Sequence, residues 1–336
     1  MPWIRDSNLA ACVAWRISSR NPSIAWHIPA LPAVGIDTMR SKEVTSKVIR
    51  LGDRKMTYSD PTGKGQRLLE SPNPKIISIT SGKGGVGKTN IVANLGFTLR
   101  RFGKKVLIFD ADLGLGNLDV LLGLTPQYNL SHVIRGEKNL ADIVVTGPGG
   151  LKILPAASGI QDLTALTQQE RYLVFSQLDA FVHDFDIMLI DTAAGISSNV
   201  LFFNINSDEI LVVATPEPTS ITDAYAMMKV LSVKYGTDHF KLVVNAAANV
   251  READDVYRQL NLVADRFLNI SLEYYGCVLL DDTIKKGVRQ QRAVTEMAPL
   301  AAASRNFVAL ARKVASSPAP ERGRRSNHWC LTEMPV

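Results

Sequence analysis

The residues best suited to chemistry form a glycine-rich loop that carries two lysines. Directly after an apolar run and before a helical pattern, the sequence reads Gly82-Lys83-Gly84-Gly85-Val86-Gly87-Lys88-Thr89-Asn90. Glycines let the backbone wrap around a phosphate chain, and the amide groups at a helix start bind its negative charge. We therefore predict a nucleotide site in which Lys88 contacts the β- and γ-phosphates and the Thr89 hydroxyl binds Mg²⁺. A glycine-rich turn without a ligand is the alternative.

Acidic residues close two further apolar runs. The first run ends in Asp110-Ala111-Asp112, and the second ends in Asp191-Thr192-Ala193-Ala194-Gly195. Near a bound triphosphate, one carboxylate of the first pair can support Mg²⁺ while the other positions the attacking water. Capping of a turn is the alternative for that pair. Asp191 resembles a Walker B aspartate, a metal-site residue, and the Gly195 N–H can contact the γ-phosphate, so its loop is the predicted phosphate sensor.

The elements that must position these residues alternate between strand and helix patterns from residue 75 onward. Short, almost continuously apolar runs predict strands at 76–80, 106–110, 151–154, 187–191, 210–214, 242–245 and 274–279. Helical patterns cover 88–101, 164–182, 220–235, 252–268 and 299–314. This alternation predicts an α/β fold with a doubly wound, mainly parallel sheet of about seven or eight strands. The carboxyl ends of such strands share one rim, so the loop, the carboxylates and Asn245 should meet there.

Charge and cysteine usage exclude several classes of protein. The 336-residue chain has a net charge of +6, but residues 75–315 hold 24 basic and 24 acidic residues, so the excess lies in the flanks. A neutral core predicts no direct nucleic-acid contact. The three cysteines, Cys12, Cys277 and Cys330, show no C-x-x-C spacing. The sequence therefore favours a protein of the reducing cytoplasm without a disulfide framework or a metal cluster.

The domain organisation follows from these patterns. We predict a P-loop domain over residues 75–315, a flexible segment at 39–74 and a flexible tail at 316–336. Residues 1–38 lack helical or strand periodicity, and we interpret them as an extension of the gene model or a disordered segment, with Met39 as the start. The apolar run Leu9–Trp15 is short for a signal peptide.

The second lysine gives the loop a family resemblance. With Lys83, residues 82–89 resemble the deviant Walker A ATPases of the MinD/ParA type, which implies ATP as ligand and a homodimer that forms on ATP binding. The resemblance implies that Lys83 crosses to the partner's nucleotide, that Asp112 activates water, that Asp110 supports the metal and that Asn245 holds the adenine. A solvated loop lysine and an ordinary turn asparagine are the alternatives.

Four further segments resemble the FlhG/FleN family of flagellar-number regulators. They are residues 114–123, 191–197, 217–226 and 289–294, and the resemblance covers about residues 75–315. It implies an ATP-dependent regulator of flagellar number and placement. Its implied partners are the flagellar GTPase FlhF, basal-body components and flagellar transcription regulators.

Three departures from that family limit what carries over. The D-Q-A-x-x-L-R element that stimulates the GTPase is replaced by the unlike stretch 60–68, and Leu279 stands where the family has proline. The family's membrane helix has a partial counterpart at 299–314, but we interpret its apolar stripe as core, so peripheral contact with the inner face of the membrane or the cell pole stays open.

Rival functions use the same fold. A MinD-like ATPase for division-site placement and a ParA-like ATPase for DNA segregation are the alternatives within the class. An iron–sulfur cluster carrier requires cysteines that bridge subunits, for which Cys277 alone does not qualify. A scaffold without turnover conflicts with the joint presence of Lys83, Lys88, Asp112 and Asp191.

Overall fold

The computed structural model describes residues 74–114, 116–156 and 167–318. Eight strands lie in this part of the chain: β1 Lys75–Ser81, β2 Val106–Ala111, β3 Val145–Thr146, β4 Lys152–Leu154, β5 Ile187–Ala194, β6 Glu209–Ala214, β7 His239–Ala247 and β8 Ser271–Leu279. The α-helices are α1 Lys88–Arg101, α2 Leu118–Leu121, α3 Leu130–Ile134, α4 Gln168–Val182, α5 Ser198–Ile205, α6 Pro218–Tyr235, α7 Val250–Leu268, α8 Asp282–Arg289, α9 Val294–Met297 and α10 Ala302–Ser316.

The strands form one sheet in the order β3-β4-β2-β5-β1-β6-β7-β8. Only β3, which pairs with β4, runs antiparallel within the described sheet, and the other neighbours are parallel. The predicted doubly wound, mainly parallel sheet is therefore confirmed. All seven predicted strands are present, and the two-residue β3 is the addition.

Burial on both faces explains why β2 and the first half of β5 read as almost continuous apolar runs, whereas β1 also buries the short polar side chains of Ser78 and Thr80. Every residue of β1 and of β2 is buried. Helices α1 and α10 cover one face, where Ile91, Leu95 and Phe307 join the core. Helices α4 and α5 cover the opposite face beside β2 and β5, and α6 and α7 continue that cover beside β6 and β7. A parallel sheet buried in this way needs apolar side chains at successive positions.

The last described helix, α10, is part of the core. Phe307, Leu310 and Val314 are each at most 2% exposed and pack against the sheet and α1. The interpretation of this apolar stripe as core is therefore confirmed. Within the described residues, no helix is both long and apolar enough to cross a membrane.

Several predicted boundaries differ from the structure by a few residues, among them that of the last helix, which spans Ala302–Ser316 and not 299–314. Two of these differences have identifiable reasons. The helix expected over 164–182 begins at Gln168, because Thr167 and Glu170 form a reciprocal cap: the Thr167 hydroxyl accepts from the Glu170 N–H, and the Glu170 carboxylate accepts from the Thr167 N–H. The strand expected to end at Asn245 continues to Ala247 through an irregular step, with Ala246 at a φ of 57°.

The predictions for residues 1–38, for most of 39–74 and for most of 316–336 lie outside the described residues.

Candidate functional site

The glycine-rich loop lies where β1 ends and α1 begins, at the carboxyl edge of the sheet. Gly87 precedes α1 with a φ of 93°, and a Cβ on it would lie 2.4 Å from the Asn245 amide nitrogen. Gly82 passes so close to α6 that a Cβ would lie 2.1 Å from the Asp223 carbonyl oxygen. Both positions therefore require glycine, the first for its left-handed backbone and both for close packing.

Asn245 connects the rim of β7 to this loop. Its Nδ2 donates a hydrogen bond to the Val86 carbonyl oxygen at 2.7 Å. The Asn245 side chain thus holds the loop from the outside, while its Oδ1 remains a candidate acceptor for a base. The structure brings Asn245 to the site as predicted, and its adenine contact stays a prediction.

Lys88 points into the loop from the first turn of α1. Its side chain is buried, and Nζ donates to the Ser81 hydroxyl at 2.9 Å, which in turn donates to the Lys83 carbonyl oxygen at 2.7 Å. Burial lowers the pKa of Lys88, whereas the charges of Asp191 and Asp112 raise it. The ammonium therefore lies between the phosphate loop and the acidic strand ends, where a phosphate chain would contact it. Ser81 is a site residue that sequence reasoning missed.

Asp110 and Asp191 are direct neighbours across the β2–β5 pair. Both are at most 2% exposed. Burial is the main effect that raises the pKa of Asp110 well above its usual range, and the charge of Asp191 raises it further. Hydrogen bonds from the Leu118 and Asp112 amides oppose this rise. Burial also raises the pKa of Asp191 to about 7, although the Thr89 hydroxyl and the Lys88 charge lower it.

This carboxylate pair fits a divalent cation. Neither carboxylate oxygen of Asp191 has a hydrogen bond of normal geometry among the described residues, although the Thr89 hydroxyl is near enough to lower its pKa. Two adjacent buried carboxylates repel each other, and a hard cation with oxygen ligands would remove that repulsion. Thr89, Asp110 and Asp191, the three predicted metal-site residues, therefore lie in one place. Asp112 lies beside them and donates its N–H to Asp110 Oδ1 at 3.3 Å.

Gly195 follows β5 with a φ of 89°, next to the glycine-rich loop. Its N–H donates to the Ser81 carbonyl oxygen at 2.9 Å. In this conformation the N–H is therefore not available to a γ-phosphate. The predicted sensor role requires that this hydrogen bond break, and it stays a prediction.

Lys83 lies on the outer side of the loop and contacts the start of α6. Its ammonium forms an ion pair with Glu217 and donates to the Thr219 hydroxyl at 2.9 Å. The side chains of Lys83 and Glu217 are 34% and 63% exposed, so this pair lies at the surface and can reach a second molecule. Glu217 therefore belongs to the site, which its place in the family-like segment 217–226 did not predict.

A cavity of about 580 Å³ continues from the loop toward β7 and β8. Its lining includes Gly85, Val86, Thr215, Pro216, Asn245 and Leu280. The Thr215 hydroxyl is buried without a described hydrogen-bond partner. The volume is in the range of small-molecule pockets, and the position beyond the carboxyl ends of parallel strands is where such sheets bind ligands. Leu280 also lines this cavity, and it directly follows Leu279, the position at which the family has proline.

Comparisons with known proteins agree with this geometry. A family described as "AAA domain" matches residues 74–239. The chain is 43% identical over 250 residues to the antiactivator FleN of Pseudomonas aeruginosa, covering 74% of this chain and 89% of FleN. It is 37% identical to the flagellum site-determining protein YlxH of Helicobacter pylori, covering 68% and 77%. The septum site-determining protein MinD of Pyrococcus horikoshii, solved with Mg-ADP, superposes with a TM-score of 0.61 at 26% identity, covering 72% and 96%.

Proposed function

The chain belongs to the FlhG/FleN family within the MinD/ParA ATPases, and from that premise we propose that it is an ATP-dependent dimerising switch that regulates flagellar number and placement. The observation that carries the proposal is the identity of 43% across 89% of the antiactivator FleN. The site supplies the chemistry that such a switch needs, because a phosphate-binding loop, two lysines and three aspartates meet at one edge of the sheet.

ATP and Mg²⁺ are the ligands of this site. The loop amides and Lys88 bind the phosphates, and the cavity beside Asn245 receives the nucleoside. Thr89, Asp110 and Asp191 would hold Mg²⁺, which neutralises phosphate charge. Asp112 orients the attacking water, and the Gly195 N–H leaves the Ser81 carbonyl to bind the γ-phosphate. The loop after β5 would thereby report whether ATP or ADP is bound.

ATP hydrolysis depends on a homodimer in this proposal. Lys83 lies on the outer side of the loop, where it can leave Glu217 and contact the nucleotide of the partner. A cation supplied in trans accelerates phosphoryl transfer by about 10³- to 10⁵-fold in systems that use one. Turnover should therefore be slow in dilute monomer and rise with protein concentration.

The proposed partners follow from the family. They are the flagellar GTPase FlhF, basal-body components or a flagellar transcription regulator, and the proposed place of action is the cytoplasm. Direct nucleic-acid binding is not proposed, because residues 75–315 carry equal numbers of basic and acidic side chains.

A cellular experiment tests the proposal. The gene is deleted in its host, flagella are counted per cell by electron microscopy, and minicells are scored in the same cultures. We expect an altered number or position of flagella with normal division. Reintroduction of the wild-type gene should restore the flagellar pattern, and reintroduction of the Lys88→Ala variant should not.

A MinD-like role in division-site placement is the second candidate, favoured by the superposition on MinD with a TM-score of 0.61. Minicells together with normal flagella in the deletion strain would replace the flagellar assignment by this one.

A further inference from the structure

A groove lies at the amino ends of the strands, whereas the nucleotide site lies at their carboxyl ends. It has a volume of about 440 Å³ and lies beneath the amino ends of β2 and β4. Phe181 and Phe185, from the end of α4 and the turn that follows, form its apolar floor together with Val144. We call this feature the β2–β4 groove. It is separated from the glycine-rich loop by the length of β2.

Basic side chains surround that apolar floor. Arg100, Lys105 and Lys152 line the groove, against one carboxylate, Asp184. Arg100 donates to the carbonyl oxygens of Gly149 and Lys104, at 3.2 and 2.7 Å, which fixes the guanidinium while leaving further N–H donors. Among the described residues no carboxylate forms an ion pair with any of the three basic side chains. The groove therefore suits an apolar segment that also carries a negative charge.

The chain enters the domain beside this groove. Pro74 is buried, and the Lys75 N–H donates to the Asp186 carbonyl oxygen at 3.0 Å. Two hydrogen bonds connect Asp186 to Lys105. The Asp186 N–H donates to the Lys105 carbonyl oxygen at 2.9 Å, and the Asp186 carboxylate accepts from the Lys105 N–H at 2.7 Å. Lys75 is thus connected through Asp186 to Lys105, which lines the groove. The residues before Pro74 therefore begin close to the groove.

The sequence just before Pro74 has the required chemistry. It reads Leu68-Leu69-Glu70-Ser71-Pro72-Asn73, with two large apolar residues followed by one acid. Five residues of extended chain span up to about 17 Å. The distance from β1 across β5 to β2 is about 10 Å, because neighbouring strands lie about 4.8 Å apart. Leu69 can therefore reach the groove from Pro74.

We propose that residues 68–70 of the same chain dock in the β2–β4 groove. Leu68 and Leu69 cover the apolar floor at Phe181 and Phe185, and the Glu70 carboxylate contacts the basic rim at Lys105. This contact would anchor the amino-terminal segment on the edge of the domain that faces away from the nucleotide. It does not depend on ATP, on dimerisation or on the flagellar role.

Hydrogen exchange and trypsin cleavage in the full chain test the proposal. In the wild-type protein, the amides of residues 68–71 should exchange at least about tenfold more slowly than in a synthetic peptide of residues 60–73, and cleavage after Arg67 should be slowed similarly. The Leu68→Ser/Leu69→Ser double variant and the Lys105→Glu variant should each lose this protection. The Lys105 side chain is exposed, so its replacement leaves the fold intact, and nucleotide binding checks this.

Lys234→Glu is the matched control, because it reverses an exposed lysine on α6, which does not line the groove. It should keep the wild-type protection. Peptide-like exchange at residues 68–71 of the wild-type chain would overturn the proposal. So would protection that survives in either variant, since the segment would then dock elsewhere. Protection that rises with protein concentration would assign the contact to a second molecule and would equally overturn docking within one chain.

Discussion

The ammonium of Lys83 is paired within its own chain with the Glu217 carboxylate at the start of α6. The Thr219 hydroxyl accepts a second hydrogen bond from the same nitrogen, at 2.9 Å. In the proposed mechanism Lys83 must leave both partners before it can contact a nucleotide in a second molecule. The pair therefore stabilises the monomer relative to the active dimer.

Glu217→Gln should make the dimer easier to form. An exposed ion pair of this kind contributes about 0.2–1 kcal/mol, and each dimer breaks two of them, so the substitution should lower the protein concentration for half-maximal ATPase activity by about two- to thirtyfold. ATPase activity measured over a series of protein concentrations checks this. Glu273→Gln is the control, since Glu273 is an exposed carboxylate on β8 with its nearest cation, Lys241, at 3.9 Å. An unchanged concentration dependence in Glu217→Gln would show that the pair does not restrain Lys83.

Lys83→Ala should separate ATP binding from hydrolysis. Lys88 and the loop amides remain to bind the phosphates, so ATP affinity should change little. The maximal rate should fall by about 10³-fold or more if Lys83 acts in trans. Equilibrium binding of a fluorescent ATP analogue and phosphate release measure the two effects, with Lys234→Ala as the surface control. Normal turnover in Lys83→Ala would contradict the trans-acting role.

Asp112→Ala should retain ATP and arrest the switch in its dimer. Asp112 is the residue assigned to the attacking water, whereas Asp110 and Asp191 remain to support the metal. With ATP and Mg²⁺, this variant should elute as a lasting dimer in size-exclusion chromatography and should release no phosphate. Asp282→Ala, which alters an exposed acid at the start of α8, should behave as wild type. Unchanged turnover in Asp112→Ala would refute the assignment.

The convergence of the phosphate loop and the carboxylates could be predicted from the sequence. Asp110 and Asp191 each end an apolar run, and parallel strands bring their carboxyl ends to one rim, so the direct pairing of these two residues follows from the topology. The almost continuous apolar character of β2 likewise predicted its burial on both faces.

Other features depend on tertiary contacts that no local pattern encodes. β3 has only two residues, too few for any periodicity, and it exists because it pairs with β4. The eight-residue α5 was missed because six of its residues are buried, which removes the amphipathic signal. The Lys83–Glu217 pair joins two loops far apart in sequence, and the β2–β4 groove combines residues from several separate segments. Neither could be predicted before the fold was known.

Asn245→Ala should weaken ATP binding through the phosphate loop as well as through the base. The lost hydrogen bond to the Val86 carbonyl oxygen, 2.7 Å long, leaves that oxygen without its side-chain donor. Removal of such a bond costs about 1–2 kcal/mol, which corresponds to about a five- to thirtyfold higher Kd for ATP. Isothermal titration calorimetry with ATP and with inorganic triphosphate distinguishes the two contributions. If triphosphate affinity is unchanged, Asn245 acts on the base alone. Asn261→Ala is the control, because Asn261 lies near the amino ends of β7 and β8, away from the nucleotide site. This variant should leave both affinities unchanged.

Glu209→Gln should destabilise the fold and change its acid sensitivity. Glu209 lies between two lysines, with Nζ of Lys75 at 2.5 Å and Nζ of Lys241 at 2.8 Å. Burial raises the pKa of Glu209, but the ion-pair contacts with Lys241 and Lys75 outweigh this and leave it lowered. Burial lowers the pKa of Lys75 despite the same contact, so that the lysine depends on its carboxylate partner. Loss of one partner of such a buried pair costs about 3 kcal/mol near neutral pH.

The sign of the pH effect follows from the lowered pKa of Glu209. Its contribution is complete above the unfolded-state pKa, near 4.5, and is lost as the pH falls through the lower folded-state value. The difference in unfolding free energy between wild type and Glu209→Gln, measured with urea, should therefore be largest at pH 7 and should shrink below about pH 4.5. Glu273→Gln should show a small difference at both pH values, because Glu273 is 56% exposed. A Glu209→Gln difference that stays constant down to pH 3 would show that the charge of Glu209 does not stabilise the fold.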